Sequence, residues 1–201
     1  MNRRQRVDGL LPVLIFAAFF AFAAFCTAAE QPPQEGESFP DLKFPTPKAS
    51  EHLAYLGLDS KVGPAFKLGQ VKASVVIFEV FSMYCPYCQN EAPSINGLYS
   101  RIAERGLEGK IKLIGLGAGN SPYEVDLFKG KYGVQFPLLS DSDLTLHTAL
   151  GKMRTPYFIV VSLTPEGKGL VIYSRVGTIG DPEQFLDFIT QKAGIREKGA
   201  P

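Results

Sequence analysis

Cys85-Pro86-Tyr87-Cys88 sets two thiols two residues apart. At the N-terminus of a helix, a thiol faces unpaired backbone N–H groups and the positive end of the helix dipole. Both favour the thiolate, which is the reactive form of cysteine. One turn later the second sulfur returns to the same spot, where it can attack a mixed disulfide formed at the first. In this reading Cys85 is the exposed nucleophile and Cys88 the buried resolving thiol. Two other uses stay open. One is a static disulfide. The other is half of a zinc site, which needs two further ligands, and the chain offers only Cys26 and the scattered His52 and His147.

Three further positions bear on the same chemistry. Glu79 is a lone carboxylate in an apolar run, six residues before Cys85. Burial there would raise its pKa and let it exchange a proton with Cys88; the alternative is a carboxylate turned to solvent at a strand end. Glu91 follows Cys88 by three residues, a spacing that puts both on one side of a helix. It either tunes the thiols or is a solvated helix residue. Thr155-Pro156 precedes the apolar run from Tyr157 to Leu163. A cis peptide at that point would turn the backbone towards the sulfurs and offer Thr155 N–H and C=O to an extended partner.

These side chains need a scaffold, and the hydrophobic pattern supplies one. Val75 to Phe81 (VVIFEVF) has the continuous apolar character of a strand buried on both faces. A helix is expected over Asn90 to Arg105, with Gly106 ending it, and a second buried strand over Ile111 to Leu116. Pro122 to Tyr132 reads as a helix, Phe136 to Leu139 as a short strand, and Asp143 to Leu150 as a short helix. Tyr157 to Leu163 and Leu170 to Val176 read as paired strands, joined through Thr164-Pro165-Glu166-Gly167. Asp181 to Lys192 reads as a closing helix with Pro182 in its first turn. Strands that alternate with helices, then a hairpin and a helix, describe an α/β sandwich with a mixed sheet. Ahead of it, proline-rich residues 30–50 read as an extended linker merging into the domain edge, and Ser50 as the cap of a helix over Glu51 to Leu58.

The whole-chain numbers narrow the function. A length of 201 residues with 45% hydrophobic content accommodates a sizeable core. A net charge of +1 argues against a dedicated nucleic-acid binder, and three cysteines are too few for a disulfide-dense scaffold. Arg3, Arg4 and Arg6 precede the apolar run Leu10 to Phe25, and Cys26-Thr27-Ala28-Ala29 follows it. That layout predicts a secretory signal over residues 1–29, or an uncleaved N-terminal anchor touching the membrane through residues 10–29. In either case the folded part leaves the cytosol for the periplasm or its extracytoplasmic equivalent.

Taken together, these marks make the segment from Val75 to the closing helix resemble the thioredoxin fold, and within it the exported TlpA/ResA-type thiol–disulfide oxidoreductases. Glu79 matches the buried acid of thioredoxins, Cys85 and Cys88 the active-site pair, and Pro93 the proline of the active-site helix. Glu91 matches an acid of the ResA-like branch, and Thr155-Pro156 the cis-proline loop. The 71 residues from Cys85 to Pro156 exceed the thioredoxin spacing, and the surplus fits the strand–helix insert of the TlpA-like group, around residues 117–140. Tyr84 stands where thioredoxins mostly carry Trp, and Pro86-Tyr87 is the dipeptide of glutaredoxins. Phe78 and Ser82 occupy the positions where peroxiredoxins carry Pro and Thr, which argues against peroxidase chemistry.

The resemblance implies a three-layer sandwich over residues 60–201 behind an N-terminal segment over 30–59. It implies a monomer that exchanges disulfides with partner proteins and draws electrons from a membrane or periplasmic donor. No dissociable cofactor is implied, because the cysteine pair carries the electrons. Cys85, Cys88, Glu79 and Glu91 are the expected catalytic set; Thr155, Pro156, Tyr84, Pro86 and Tyr87 are the expected partner contacts. A non-catalytic binding module with a static Cys85–Cys88 bridge is the rival from another class. His52 and His147 read as surface or capping residues, and the run Gly115 to Gly119 as a glycine-rich turn.

Overall fold

The computed structural model describes residues 31–196, so the leader and its Cys26 lie outside the described residues. Its centre is β3, Val75–Phe81, every residue of which is buried. β3 pairs in parallel with β4, Ile111–Ala118, and antiparallel with β6, Tyr157–Leu163. With β5, Leu138–Asp141, and β7, Gly169–Val176, the sheet has the order β5-β4-β3-β6-β7. A strand in this central position reads as continuously apolar because it is covered on both sides.

The period of two along β3 divides its side chains between two cores. Val75, Ile77 and Phe81 face the layer of α2, Pro86–Glu104, and α5, Pro182–Lys192. Val76, Phe78 and Val80 face the opposite side, where α4, Thr145–Ala149, packs with the N-terminal elements. Alternation therefore places Glu79 on the α2 side, the side of Cys88. Among the described residues no helix is long and apolar enough to cross a membrane.

Residues 31–49, expected as an extended linker merging into the domain edge, are fastened to the domain. Gly36 and Phe39 donate their N–H groups to Val171 and Gly169, and Val171 donates to Glu37, so this segment covers the open edge of β7. β1, Lys43–Pro45, then pairs with β2, Ala65–Lys67, across α1, Ser50–Leu56. Phe39 and Phe44 both stack on Phe78 with ring centroids 5.3 Å apart.

Several boundaries differ from expectation. α1 begins at Ser50 itself, with Ala49 in the cap position, and ends where Gly57 turns left-handed. α2 starts at Pro86, four residues earlier than the periodicity indicated, because its first turn is the Cys85–Cys88 segment and not an apolar repeat. β5 begins at Leu138, two residues late, since Pro137 has no N–H to give a ladder and serves as an acceptor for Gly115. α4 is shorter than expected, and buried Asp141 supplies both carboxylate oxygens to the N–H groups of Leu146 and His147. Residues 117–140, the expected insert, supply the end of β4, the helix α3, Pro122–Tyr132, and the start of the edge strand β5.

Candidate active site

Cys85 occupies the N-cap of α2, with Pro86 as the first helical residue. Proline suits that position, because its missing N–H would have had no helical partner. Cys85 is partly exposed, whereas Cys88, one turn in, has no solvent exposure. The two thiols lie close enough for each to shift the other's pKa.

Their surroundings separate them chemically. Partial burial pushes the Cys85 thiol up. The Thr155 hydroxyl, the Cys88 thiol and the backbone N–H groups of Cys88 and Tyr87 outweigh that and bring its pKa below the ordinary value. Deeper burial pushes the Cys88 thiol up to about 12, even though the Ser82 N–H favours its thiolate, so the net shifts of the two run in opposite directions. One sulfur is thus outer and acidic, the other inner and protonated. A static bridge needs no such difference; an attacking and a resolving thiol do.

The Thr155–Pro156 peptide is cis. Cys85 Sγ, as a thiol, donates to Thr155 C=O at 3.4 Å. Glu79 is buried on the same side of the sheet as Cys88, and its Oε1 has no hydrogen-bond partner. Desolvation raises its pKa to about 8, helped by the charges of Glu91 and Cys85. Among the described residues no group of three or more His, Cys, Asp or Glu is placed to hold a metal ion.

Comparison with known proteins agrees with this geometry. The Redoxin family model matches residues 34–181, most of the chain. The chain belongs to the Redoxin family. Two curated relatives are both thiol-disulfide oxidoreductases ResA. The one from Halalkalibacterium halodurans is 25% identical over 146 residues, 73% of this chain and 80% of the relative. The one from Bacillus subtilis is 24% identical over 192 residues, 94% and 96% of the two chains. In fold, a crystal structure from Chlorobium tepidum described as a DsbE-type thiol:disulfide interchange protein superposes with a TM-score of 0.57 at 17% identity. It covers 81% of this chain and 99% of its own. The fold is thioredoxin-like, and this Redoxin is a ResA-type thiol–disulfide oxidoreductase that exchanges disulfides with protein substrates.

Glu91 in this Redoxin is not a solvated helix residue. It is buried, and its Oε1 accepts the Ile179 N–H at 2.8 Å, so the loop before α5 is tied to the active-site helix. Desolvation raises its pKa, against the pull of that N–H. Pro93 lies inside α2, and its lack of an N–H deprives the Gln89 carbonyl of its helical donor. Tyr84 and Tyr87 are 66% and 71% exposed, and Pro86 is exposed beside them, while Pro156 is buried under the Cys85 side. The Tyr84 hydroxyl hydrogen-bonds Glu124 of α3.

Two readings are corrected. His52 is buried rather than a surface residue, and its ring meets Lys129; burial first, then that lysine's charge, lowers its pKa. It borders a cavity of about 420 Å³ between the N-terminal segment and α3–β5, which none of residues 85–88 lines. The glycine run is mostly strand, with Gly115 and Gly117 inside β4 and the turn starting at Gly119, where φ is 66°. A Cβ on Gly115 would lie 2.3 Å from a Leu138 methyl, so glycine here permits β5 to close on β4. His147 donates its backbone N–H to Asp141, and its ring Nε2 meets Met153 C=O at 2.8 Å, as a capping residue.

One residue of the site went unread in the sequence. Asn120 is completely buried and accepts the Met83 N–H just ahead of Cys85. Its signal was present in Gly117-Ala118-Gly119-Asn120-Ser121-Pro122, where a polar residue inside a glycine turn next to a helix cap asks what it bonds.

Proposed function

We propose that this Redoxin reduces disulfides in partner proteins outside the cytosol, with Cys85 as nucleophile, Cys88 as resolving thiol and Glu79 as the proton acceptor. The observation that carries this reading is the asymmetry of the pair: an outer sulfur stabilised as thiolate and a buried one held as thiol. Cys85 thiolate attacks one sulfur of the partner's disulfide; the other sulfur leaves as thiolate and takes a proton from solvent. Cys88 then loses its proton to Glu79 and attacks Cys85 Sγ, forming the Cys85–Cys88 disulfide and releasing the partner's second thiolate. Two electrons pass to the partner. A dithiol donor of the membrane or periplasm returns them by the reverse exchange.

Glu79 suits the proton role because its unpartnered oxygen is a free acceptor in a dry site. Once Cys85 is tied up in the mixed disulfide its charge disappears. That charge raises both Cys88 and Glu79, so its loss lets Glu79 shed its own proton and lowers the cost of ionising Cys88; the ionised Glu79 carboxylate is then the acceptor for the Cys88 proton. Thr155 supports the partner role, since its carbonyl lies beside Cys85 where an extended chain could pair with the backbone. Tyr84, Pro86 and Tyr87 present exposed, largely apolar surface around the sulfur. The arginine-then-apolar leader supports export.

The test is insulin reduction driven by dithiothreitol, together with partner capture. The wild-type chain should accelerate insulin precipitation and Cys85→Ser should not. Cys88→Ser should retain a native partner as a mixed disulfide that dithiothreitol releases. Equal background rates for wild type and Cys85→Ser, with no releasable partner, would overturn the reading.

A further inference from the structure

We infer that Asn120, in the turn between β4 and α3, is a positioning residue for Cys85 that sets the acidity of the reactive thiol. The inference rests on Cys85 being the attacking thiol and adds to it the element that holds that thiol in place.

Every polar group of Asn120 is engaged. Its Oδ1 accepts the Met83 N–H at 2.8 Å and its Nδ2 reaches Ser82 Oγ at 3.5 Å. On the other side its own carbonyl accepts the Ser140 hydroxyl at 2.6 Å, and its N–H donates to Gly117 C=O. A completely buried side-chain amide is costly unless its groups are bonded, and here the bonds join the sheet edge to residues 82 and 83.

Those two residues matter because they belong to neither β3 nor α2, so no ladder or helix fixes them. The Met83 peptide is instead gripped from both sides, by Asn120 on its N–H and by Gln89 Nε2 on its carbonyl at 2.8 Å. Ser82 C=O in turn accepts the Cys85 N–H at 3.0 Å, and Ser82 N–H faces the Cys88 sulfur. The turn from Ser82 to Cys85 thus decides where the Cys85 sulfur sits relative to the N–H groups of Tyr87 and Cys88. Close approach is built in: a Cβ on Gly117 would lie 3.3 Å from Asn120 Cβ and 2.9 Å from a Val125 methyl. Without Asn120 the Met83 N–H has to seek water, and the turn is free to move away from the helix end.

The test follows the rate of Cys85 alkylation by iodoacetamide against pH on the reduced full chain, with melting temperature measured alongside. Asn120→Leu, close in size but unable to hydrogen-bond, should move the profile to higher pH and slow alkylation at neutral pH by about fivefold or more, because the thiolate fraction falls. Ser140→Ala, which frees only the brace on Asn120, should move it the same way by less. Leu139→Ala is the control: it empties the core on the opposite side of the sheet, and should lower the melting temperature while leaving the profile in place. An Asn120→Leu profile that superimposes on wild type overturns the inference, as does a Leu139→Ala shift of equal size. Should Asn120→Leu fail to fold, an unmoved Ser140→Ala profile overturns it. A wild-type chain in which Cys85 is not the fast-alkylating thiol would instead overturn the assignment of the nucleophile.

Discussion

Cys85 Sγ and the carbonyl oxygen of Thr155 lie 3.4 Å apart, across a separation of 70 residues in the chain. The contact joins the helix that carries the thiols to the loop that opens β6, and it leaves the Thr155 hydroxyl to stabilise the thiolate. Thr155→Val keeps the carbonyl and the shape but removes that hydroxyl. Alkylation of Cys85 should therefore require higher pH than in wild type, with little change in melting temperature. An unchanged pH profile would show that the Cys88 thiol and the helix N–H groups set the acidity of Cys85 without the Thr155 hydroxyl.

Glu79 gives a stability signature. Its pKa rises from 4.5 to about 8 on folding, through desolvation first and the charges of Glu91 and Cys85 second. Between those two values the folded chain holds a proton that the unfolded chain has lost. The stabilising contribution is therefore complete below about pH 4.5 and is lost as pH rises through about 8, with a slope of up to about 1.4 kcal/mol per pH unit. Glu79→Gln, which mimics the protonated acid, should flatten the urea-unfolding stability across this window and be more stable than wild type above it. The same variant should resolve mixed disulfides more slowly, since its amide accepts no proton. Parallel stability curves for the two proteins would mean that Glu79 is ionised or solvated in the native state.

Glu91 should act on that signature at one remove. Glu91→Gln keeps an oxygen for the Ile179 N–H but deletes the charge that raises Glu79. The pH window over which wild-type stability declines should then end at lower pH. Glu91→Ala also strands the Ile179 N–H, which is buried, at a cost of about 1–3 kcal/mol. Unfolding of the two variants in urea at pH 5 and at pH 8 separates charge from hydrogen bond. Identical curves for Gln and Ala would show that the Ile179 contact contributes nothing.

What the sequence revealed follows from the range of each interaction. β3 was legible to the residue because a strand covered on both faces must be apolar at every position, and its one exception, Glu79, was legible as an exception. Cys85 and Cys88 were readable because their chemistry depends on local spacing at a helix start. Asn120 was marked only as a polar residue in a glycine turn; its partners were not legible, because its bonds to Met83 and Ser140 span 37 and 20 residues and leave no periodic trace. Buried Glu91 was ambiguous for the same reason: only the distant Ile179 N–H distinguishes it from a solvated glutamate. The N-terminal segment was legible only as extended chain merging into the domain edge, since its prolines do not say which edge that chain covers.

That segment yields a prediction about stability. Phe44 has no solvent exposure and stacks on Phe78, which belongs to the strand leading to Cys85. Phe66 lies against Phe44 at 5.6 Å, and Phe39 also stacks on Phe78, so four aromatic rings close the core behind β3. Were residues 31–49 a tether, Phe44→Ala would cost nothing measurable. Seated as it is, the substitution should remove about 3–5 kcal/mol. Chemical denaturation of the reduced chain measures this directly. Because the cavity opens on the face of β3 opposite Cys88, the alkylation profile of Cys85 should stay at its wild-type position while stability falls. A loss under 1 kcal/mol would return residues 31–49 to the status of a linker.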